Sequence, residues 1–397
     1  VTIPRRIPRT WPGAVTAALL VLGGPGLSAA APAVVGDATL KPVPFEALPG
    51  FPGPDAAAAL DAFRRVCAAP APALPQPASV AGDPAALSDA CAAAGGAVPD
   101  AAAFFRDRFD AFRIERPDPG QPGFLTGYFE PELTGSLDPR PDFPTPVLAR
   151  PDDLVSLGPG ETRPGLDPTL RAARATAEGF APYPDRAAIE DGALGAQARP
   201  ILWLRDAVDL LVLQVQGSGR VRLPDGRAVR VLYDGRNGRP YTAVAKLIVQ
   251  EGHLPLEGLT LARWTGWLRE HPDVAKRLIR ANASYIFFRL APVEDPALGP
   301  PGAANAPLSP GRSLAVDAGL WRYGLPFWLA GALPGAAPGE GGRLVIAADT
   351  GSAIVGPARG DLFVGTGAQA GIVAGNLRDA IGFVVLLPKA APGGSSR

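Results

Sequence analysis

The chain is poor in the side chains on which most nucleophilic and metal chemistry rests. It holds two cysteines, Cys67 and Cys91, and two histidines, His253 and His271, in 397 residues. Two thiols and two imidazoles so distributed do not make a zinc site of the usual kind, and no metal site is expected. Both histidines fall in stretches of ordinary helical surface composition, which leaves little for a Ser–His or Cys–His nucleophile. No cofactor is expected, and any chemistry must come from carboxylates. Excess charge is also lacking: 38 basic residues face 38 acidic ones. That balance is no footprint for nucleic acid.

Long apolar runs are equally scarce. The longest near the start, Val15–Leu22, falls well short of the ~20 residues a membrane span needs. With Arg5, Arg6 and Arg9 before it and Leu27-Ser28-Ala29-Ala30-Ala31 after it, residues 1–31 read as a secretory signal. The competing reading, an uncleaved anchor helix, has Gly23-Gly24-Pro25 against it. No cysteine lies near the cleavage site, so the expectation is an exported protein, periplasmic or outer-membrane associated, without a lipobox cysteine. Without the three signal arginines, 35 basic residues face 38 acidic ones.

Glycine and proline are abundant, 48 and 47 residues, yet the apolar fraction of 47% argues for a folded, loop-rich chain. Its length allows two domains. Cys67 and Cys91 sit in helical-looking segments, 55–68 and 84–94. In an exported chain the pair is expected to form a disulfide between two helices. Asp100–Ile114 carries Phe104, Phe105, Phe109 and Phe112 at helical spacing, a core-facing stripe. The segment 124–131, FLTGYFEP, reads as a strand ending in a polar-aromatic cluster. DLLVLQVQ, 209–216, reads as an apolar strand feeding Gly217-Ser218-Gly219. Val221–Leu223 and Ala228–Tyr233 flank Pro224-Asp225-Gly226, a hairpin signal. The glycine turn at 217–219 lacks a Walker lysine and a dinucleotide fingerprint. It is either a plain turn or one that lets a substrate approach the backbone. Helices are expected over 185–193, 241–250, 260–270 and 273–281. Strands are expected over 145–149, 284–290, 313–318, 326–329, 344–348, 361–364 and 382–387. Helices, strands, helices, strands is the order of a β-rich segment inserted between two chain ends.

The stretch Leu344–Gly365 organises the rest. Its pattern reads as strand, polar break at Thr350-Gly351-Ser352, a short strand at Ile354-Val355, turn, strand, with Asp349 and Asp361 at two corners. Asp is a poor strand former. Either these are turn and cap residues, or they are the carboxylates that the inventory demands.

Taken together, TGYFEP (126–131), YPDRAAIEDGAL (183–194), QVQGSG (214–219), DGRNGRPYTAVAKLIVQEG (234–252), NASYIFFR (282–289) and AADTGSAIVGPARGDLFVGTG (347–367) resemble the membrane-bound lytic murein transglycosylase A family. The resemblance runs in order over some two-thirds of the chain. It implies a mainly β fold with helices: a double-psi β-barrel from 35–127 and 239–390, an inserted smaller β-domain over 128–238, and a groove between them. It also implies cleavage of the bond between N-acetylmuramic acid and N-acetylglucosamine without water, leaving a 1,6-anhydromuramoyl end. Asp361 matches the catalytic acid and Asp349 its partner acid. The partner is peptidoglycan glycan strands, with the cell-wall synthesis or division machinery as candidate recruiters and a monomer expected. Thr126, Gly127 and Tyr128, with Gln216, Gly217, Ser218 and Gly219, are the candidate substrate contacts: strand ends where aromatic faces suit sugar rings and amide or hydroxyl groups suit their hydroxyls. Tyr128 has a competing reading as a core residue. Three other functions fit the same residues: a polysaccharide hydrolase using Asp349 and Asp361 together, an expansin-like wall-binding protein without turnover, and an exported scaffold whose acids are turn residues.

Overall fold

The structure, a computed structural model, describes residues 33–52, 56–72, 76, 78–118, 120–158, 161–336 and 340–390. The expected signal segment, 1–31, lies outside them. Among the described residues no helix is long and apolar enough to cross a membrane.

The chain is mainly β with helices. One sheet of nine strands gathers both ends of the chain. Its order is Ala33–Val35, Ala38–Pro42, Phe109–Glu115, Arg378–Pro388, Pro326–Ala330, Gly342–Asp349, Ser313–Ala315, Arg359–Thr366 and Gly123–Glu130. The strand Arg378–Pro388 also pairs, through Arg378–Ile381, with Gly123–Glu130. Its later residues pair with Phe109–Glu115 and Pro326–Ala330. The last six strands therefore close on themselves as a ring.

Alternation along these strands feeds two cores. Val345, Ala347, Phe383 and Val385 pack with Leu125, Leu314, Trp321 and Leu362. Their neighbours Leu344, Ile346, Val384 and Leu386 pack on the other face, against Phe63, Phe104, Phe105 and Phe109. Burial on both faces is why these strands read as continuous apolar runs. The second core carries the helices Ala56–Ala68, Pro84–Ala94 and Ala101–Arg108. Cys67 and Cys91 are joined by a disulfide that staples the first two, with Cα atoms 5.3 Å apart.

A second sheet orders Ile286–Pro292, Ala228–Arg236, Ser218–Arg222, Glu132–Ser136, Pro200–Leu204 and Thr145–Leu148. Its strand Ile286–Pro292 lies beyond residue 238, the sequence-based end of the insert. The helix Ala207–Gln216 packs Leu210 and Leu213 into this sheet's core. It packs Val208 and Leu211 against the helices Val244–Gln250, Leu261–Glu270 and Pro272–Arg280. Glu130 joins the two sheets. It is fully buried at the end of its strand and accepts from Arg230 at 2.7 Å, Arg220 at 3.0 Å and Thr366 at 2.8 Å.

Three expectations are corrected. Residues 209–216 are helical, not a strand: Asp206 caps the helix by accepting from the Asp209 amide, and Gly217 ends it at φ +76°. The helix is buried nearly all round, so its sequence shows no 3.6-residue period. The helix over 100–114 stops at Arg108; Phe109–Glu115 is a strand, because its backbone pairs with Arg378–Pro388. Ile354-Val355 is loop, and the strands around it are no hairpin, since Ser313–Ala315 lies between them. The helix Gly367–Asn376, with glycine at both ends of its sequence GAQAGIVAGN, was not expected at all.

Two predictions follow from this framework. The disulfide closes a separation of 24 residues, so reducing it should cost about 3 kcal/mol of unfolding free energy, read from denaturant melts with and without reductant. Glu130→Ala leaves two buried guanidinium groups uncompensated and should cost about 3–5 kcal/mol in the same assay.

Candidate active site

Asp361 and Thr126 stand directly opposite each other in the parallel pairing of Arg359–Thr366 with Gly123–Glu130. Two residues further along, Phe363 faces Tyr128. Period-two alternation therefore puts Thr126, Tyr128, Asp361 and Phe363 on one patch. Thr126 Oγ1 donates to Asp361 Oδ1 at 2.6 Å. The same hydroxyl accepts from Arg359 Nη2 at 2.9 Å, and the guanidinium lies 5.2 Å above the Phe124 ring. Because Arg359 occupies the acceptor side of the hydroxyl, the Thr126 hydrogen is committed to Asp361 Oδ1. The acid's own proton then belongs on Oδ2.

Burial pushes the Asp361 carboxyl up to about 6, against the Thr126 hydrogen bond and the Arg359 charge, with a smaller upward push from Asp349. Arg359 itself is lowered, chiefly by burial.

Asp349 ends the strand Gly342–Asp349 and already accepts three hydrogen bonds. Its Oδ2 accepts from the Tyr128 hydroxyl at 2.8 Å, and its Oδ1 from the Ala303 and Thr350 amides, both at 2.9 Å. Burial raises its carboxyl, and these three donors hold it down. The Tyr128 hydroxyl is raised well above its usual range by burial and by the facing Asp349. Its ring packs on Phe363 at 5.4 Å between centroids. Tyr128 is thus half-buried with its hydroxyl satisfied internally, close to the core reading of this residue, yet it stands beside Asp361. Two carboxyl groups share the patch but not the same surroundings: Asp361 has one hydrogen-bond donor and an oxygen without a partner among the described residues, and Asp349 has three donors.

The second cluster joins the first through one bond. Gln216 Oε1 accepts from the Phe129 amide at 3.3 Å. Gln216, Gly217 and Ser218 are half-buried, and Ser218 Oγ has no partner among the described residues. The two remaining glycines serve close packing. A Cβ on Gly127 would meet Ala374 Cα at 2.9 Å, and one on Gly219 would meet Leu213 Cδ1 at 2.6 Å. Gly127 lets the helix Gly367–Asn376 lie against the strand that carries Thr126. Sequence reasoning missed Arg359 and the Ala303 amide. Arg359 was findable: it sits two residues before Asp361 on a strand, so it shares that face. The Ala303 amide had no signal, because it reaches the site from a loop 46 residues away. Among the described residues no group of three or more His, Cys, Asp or Glu could hold a metal ion.

The raised pKa of Asp361 carries a stability cost. Its folded value of about 6 lies above the unfolded value of ~3.9, so the native state binds more protons between those limits. Stability contributed by this group is present below about pH 4 and is lost as pH rises through about 6. Asp361→Asn should therefore stabilise the fold by on the order of 2 kcal/mol at pH 7.5, and by nothing below pH ~4. Thermal melts of both proteins at the two pH values check it.

Known proteins with this arrangement can now be compared. Residues 124–289 match the family profile described as the MltA specific insert domain, and residues 312–387 match the 3D domain. The crystal structure of the membrane-bound lytic murein transglycosylase from Agrobacterium tumefaciens is 35% identical, with a TM-score of 0.75 over 88% of this chain and 97% of that one. MltA from Neisseria gonorrhoeae is 29% identical, with a TM-score of 0.74 over 91% and 95%. The curated membrane-bound lytic murein transglycosylase A of Vibrio cholerae is 31% identical over 204 residues, 49% of this chain. The match spans about half of that relative's length, 53%. With the acids, the Thr126 contact and both sheets already in view, these likenesses leave one assignment: the chain belongs to the membrane-bound lytic murein transglycosylase A family.

Proposed function

We propose that this protein is a peptidoglycan lytic transglycosylase, a lyase that cuts the glycan between N-acetylmuramic acid and N-acetylglucosamine without water. The observation that carries the reading is the asymmetry of the two carboxyl groups. Asp361 has one oxygen engaged by Thr126, and burial holds its proton to about pH 6. Asp349 already accepts hydrogen bonds from Tyr128, Ala303 and Thr350.

In the proposed reaction Asp361 gives its Oδ2 proton to the glycosidic oxygen as the bond from that oxygen to C1 breaks. The substrate's own N-acetyl oxygen stabilises the oxocarbenium-like centre. The C6 hydroxyl oxygen then bonds C1, and its proton returns to Asp361. One carboxyl does both transfers, the proton count closes, and no water enters. Hydrolysis would ordinarily call for a second carboxylate as nucleophile or base. Asp349 would have to give up its three donors for that, which disfavours the hydrolase reading. A purely wall-binding, expansin-like protein has no need of an acid held near neutrality.

The same proposal takes the closed ring of strands as a double-psi β-barrel with 131–292 as the inserted unit. It places the glycan along Thr126, Tyr128, Gln216 and Ser218, with peptidoglycan as the partner and an exported location. Aromatic and hydroxyl groups beside glycine support those contacts, and residues 1–31 support export.

Asp361→Asn should abolish release of 1,6-anhydromuropeptides, a loss at or beyond the ~10²–10⁴-fold of general acid–base catalysis. Asp349→Asn should cost less and move the pH optimum slightly down, since its charge is the smaller upward influence on Asp361. Wild-type kcat/KM should fall about tenfold per unit above pH ~6, as the acid form is lost. Product mass spectrometry in ¹⁸O water decides the reaction type: unlabelled anhydro ends are expected, and labelled reducing ends would end the transglycosylase reading.

A further inference from the structure

Away from the acids, the second sheet contains a built irregularity. Between Ala228–Arg236 and Ile286–Pro292, Tyr233 faces Phe288 and Gly235 faces Phe287, which leaves Asp234 as an extra, unpaired residue. Such a bulge re-aims a side chain. Arg150 holds it in place, with Nη1 donating to Asp234 O at 2.9 Å and Nη2 donating to Leu154 O at 2.7 Å. Gly235 is required for that clamp: its φ is +150°, and a Cβ there would lie 2.8 Å from Arg150 Nη1.

The bulge opens onto a cavity of about 640 Å³ with Ile201, Phe288 and Leu290 among its apolar walls. That volume is within the range of small-ligand sites. Several charged side chains line it, and most are already engaged. Arg199 is bidentate to Asp152 at 2.9 and 2.7 Å, and Arg150 is committed to its carbonyls. Two groups remain. Arg289 is exposed, Asp234 is half-buried, and neither side chain pairs with the other or with any other described residue. A cation and an anion without partners among the described residues, on the walls of a cavity that is half apolar, are complementary to a ligand that carries both charges. The register also fixes where Arg289 lies. Leu232 pairs with Ser218 on one side and Arg289 on the other, so Arg289 is two strands, ~10 Å, from Ser218 and on the same face.

We propose that this cavity is a second binding site, for the zwitterionic amino-acid centre of the peptide stems carried by murein glycan. Arg289 takes the carboxylate and Asp234 the ammonium group. The inference rests on the transglycosylase reading and deepens it: the glycan is cut at Asp361 and its peptide is read two strands from Ser218.

The test is a calorimetric titration of the intact protein with N-acetyl-L-Ala-γ-D-Glu-meso-diaminopimelate, whose distal centre keeps both charges. Saturable binding is expected. It should weaken about tenfold or more when the distal amine is acetylated, and likewise in Arg289→Gln and in Asp234→Asn. Asp361→Asn should bind the peptide like the wild type. Both cavity variants should cut peptide-free glycan normally but show a raised KM, with unchanged kcat, on peptide-bearing strands. Equal binding of the acetylated and free peptides, or wild-type binding by both variants, overturns the proposal. Free diaminopimelate binding as tightly as the peptide would also overturn it, assigning the cavity to a free amino acid. The two readings fail separately: peptide binding without glycan cleavage sinks the transglycosylase reading, and cleavage without peptide binding sinks this one.

Discussion

Everything at the site hangs on one parallel strand pairing, between Gly123–Glu130 and Arg359–Thr366. Its register puts Thr126 against Asp361 and brings Thr366 to Glu130, so a single ladder sets the acid at one end and the anchor between the sheets at the other. A shift of one residue would turn every side chain on the strand to the opposite face. Thr126 would then face away from the acid, and Glu130 would leave its two arginines. Leu125 and Leu362 share one core with Leu314 and Phe383, and that shift would turn them out of it.

Around this ladder the polar groups divide into two kinds. Tyr128 and the Ala303 amide hold Asp349, and Thr126 lies between Arg359 and Asp361, by bonds of 2.6–2.9 Å. Asp361 Oδ2, Ser218 Oγ, Asp234 and Arg289 have no partner among the described residues. Fixing the donors in advance spares reorganisation when charge develops.

Much of this was legible in the sequence, and what was not has physical reasons. Ring strands such as Gly342–Asp349 announced themselves because both faces are buried and the apolar run is continuous. The same property hid the helix Ala207–Gln216, buried nearly all round and therefore without period. Phe109 and Phe112 were correctly assigned to an interior but to the wrong element, since pairing with Arg378–Pro388 overrides local helix spacing. Asp349, Asp361, Thr126 and Tyr128 could be singled out from polar residues at strand ends and from the family resemblance. Arg359 could have been, from its i, i+2 relation to Asp361. The partners of Glu130 could not: Arg220 and Arg230 lie 90 and 100 residues away, and nothing local marks them.

The two residues that meet at the acid are 235 positions apart, and the strand that closes the ring, Arg378–Pro388, is the last in the described chain. Contacts of such long sequence separation form slowly, because loop-closure entropy is spent before they give any return. The N-terminal helices and the second sheet can each gather locally, yet the burial that raises the Asp361 pKa is shaped by Thr126 and by strands made hundreds of residues later. A growing or partly threaded polypeptide therefore carries Asp361 as an ordinary solvated carboxylate. Its unusual acidity is a property of the closed ring, acquired in one late step of topology and not built up strand by strand.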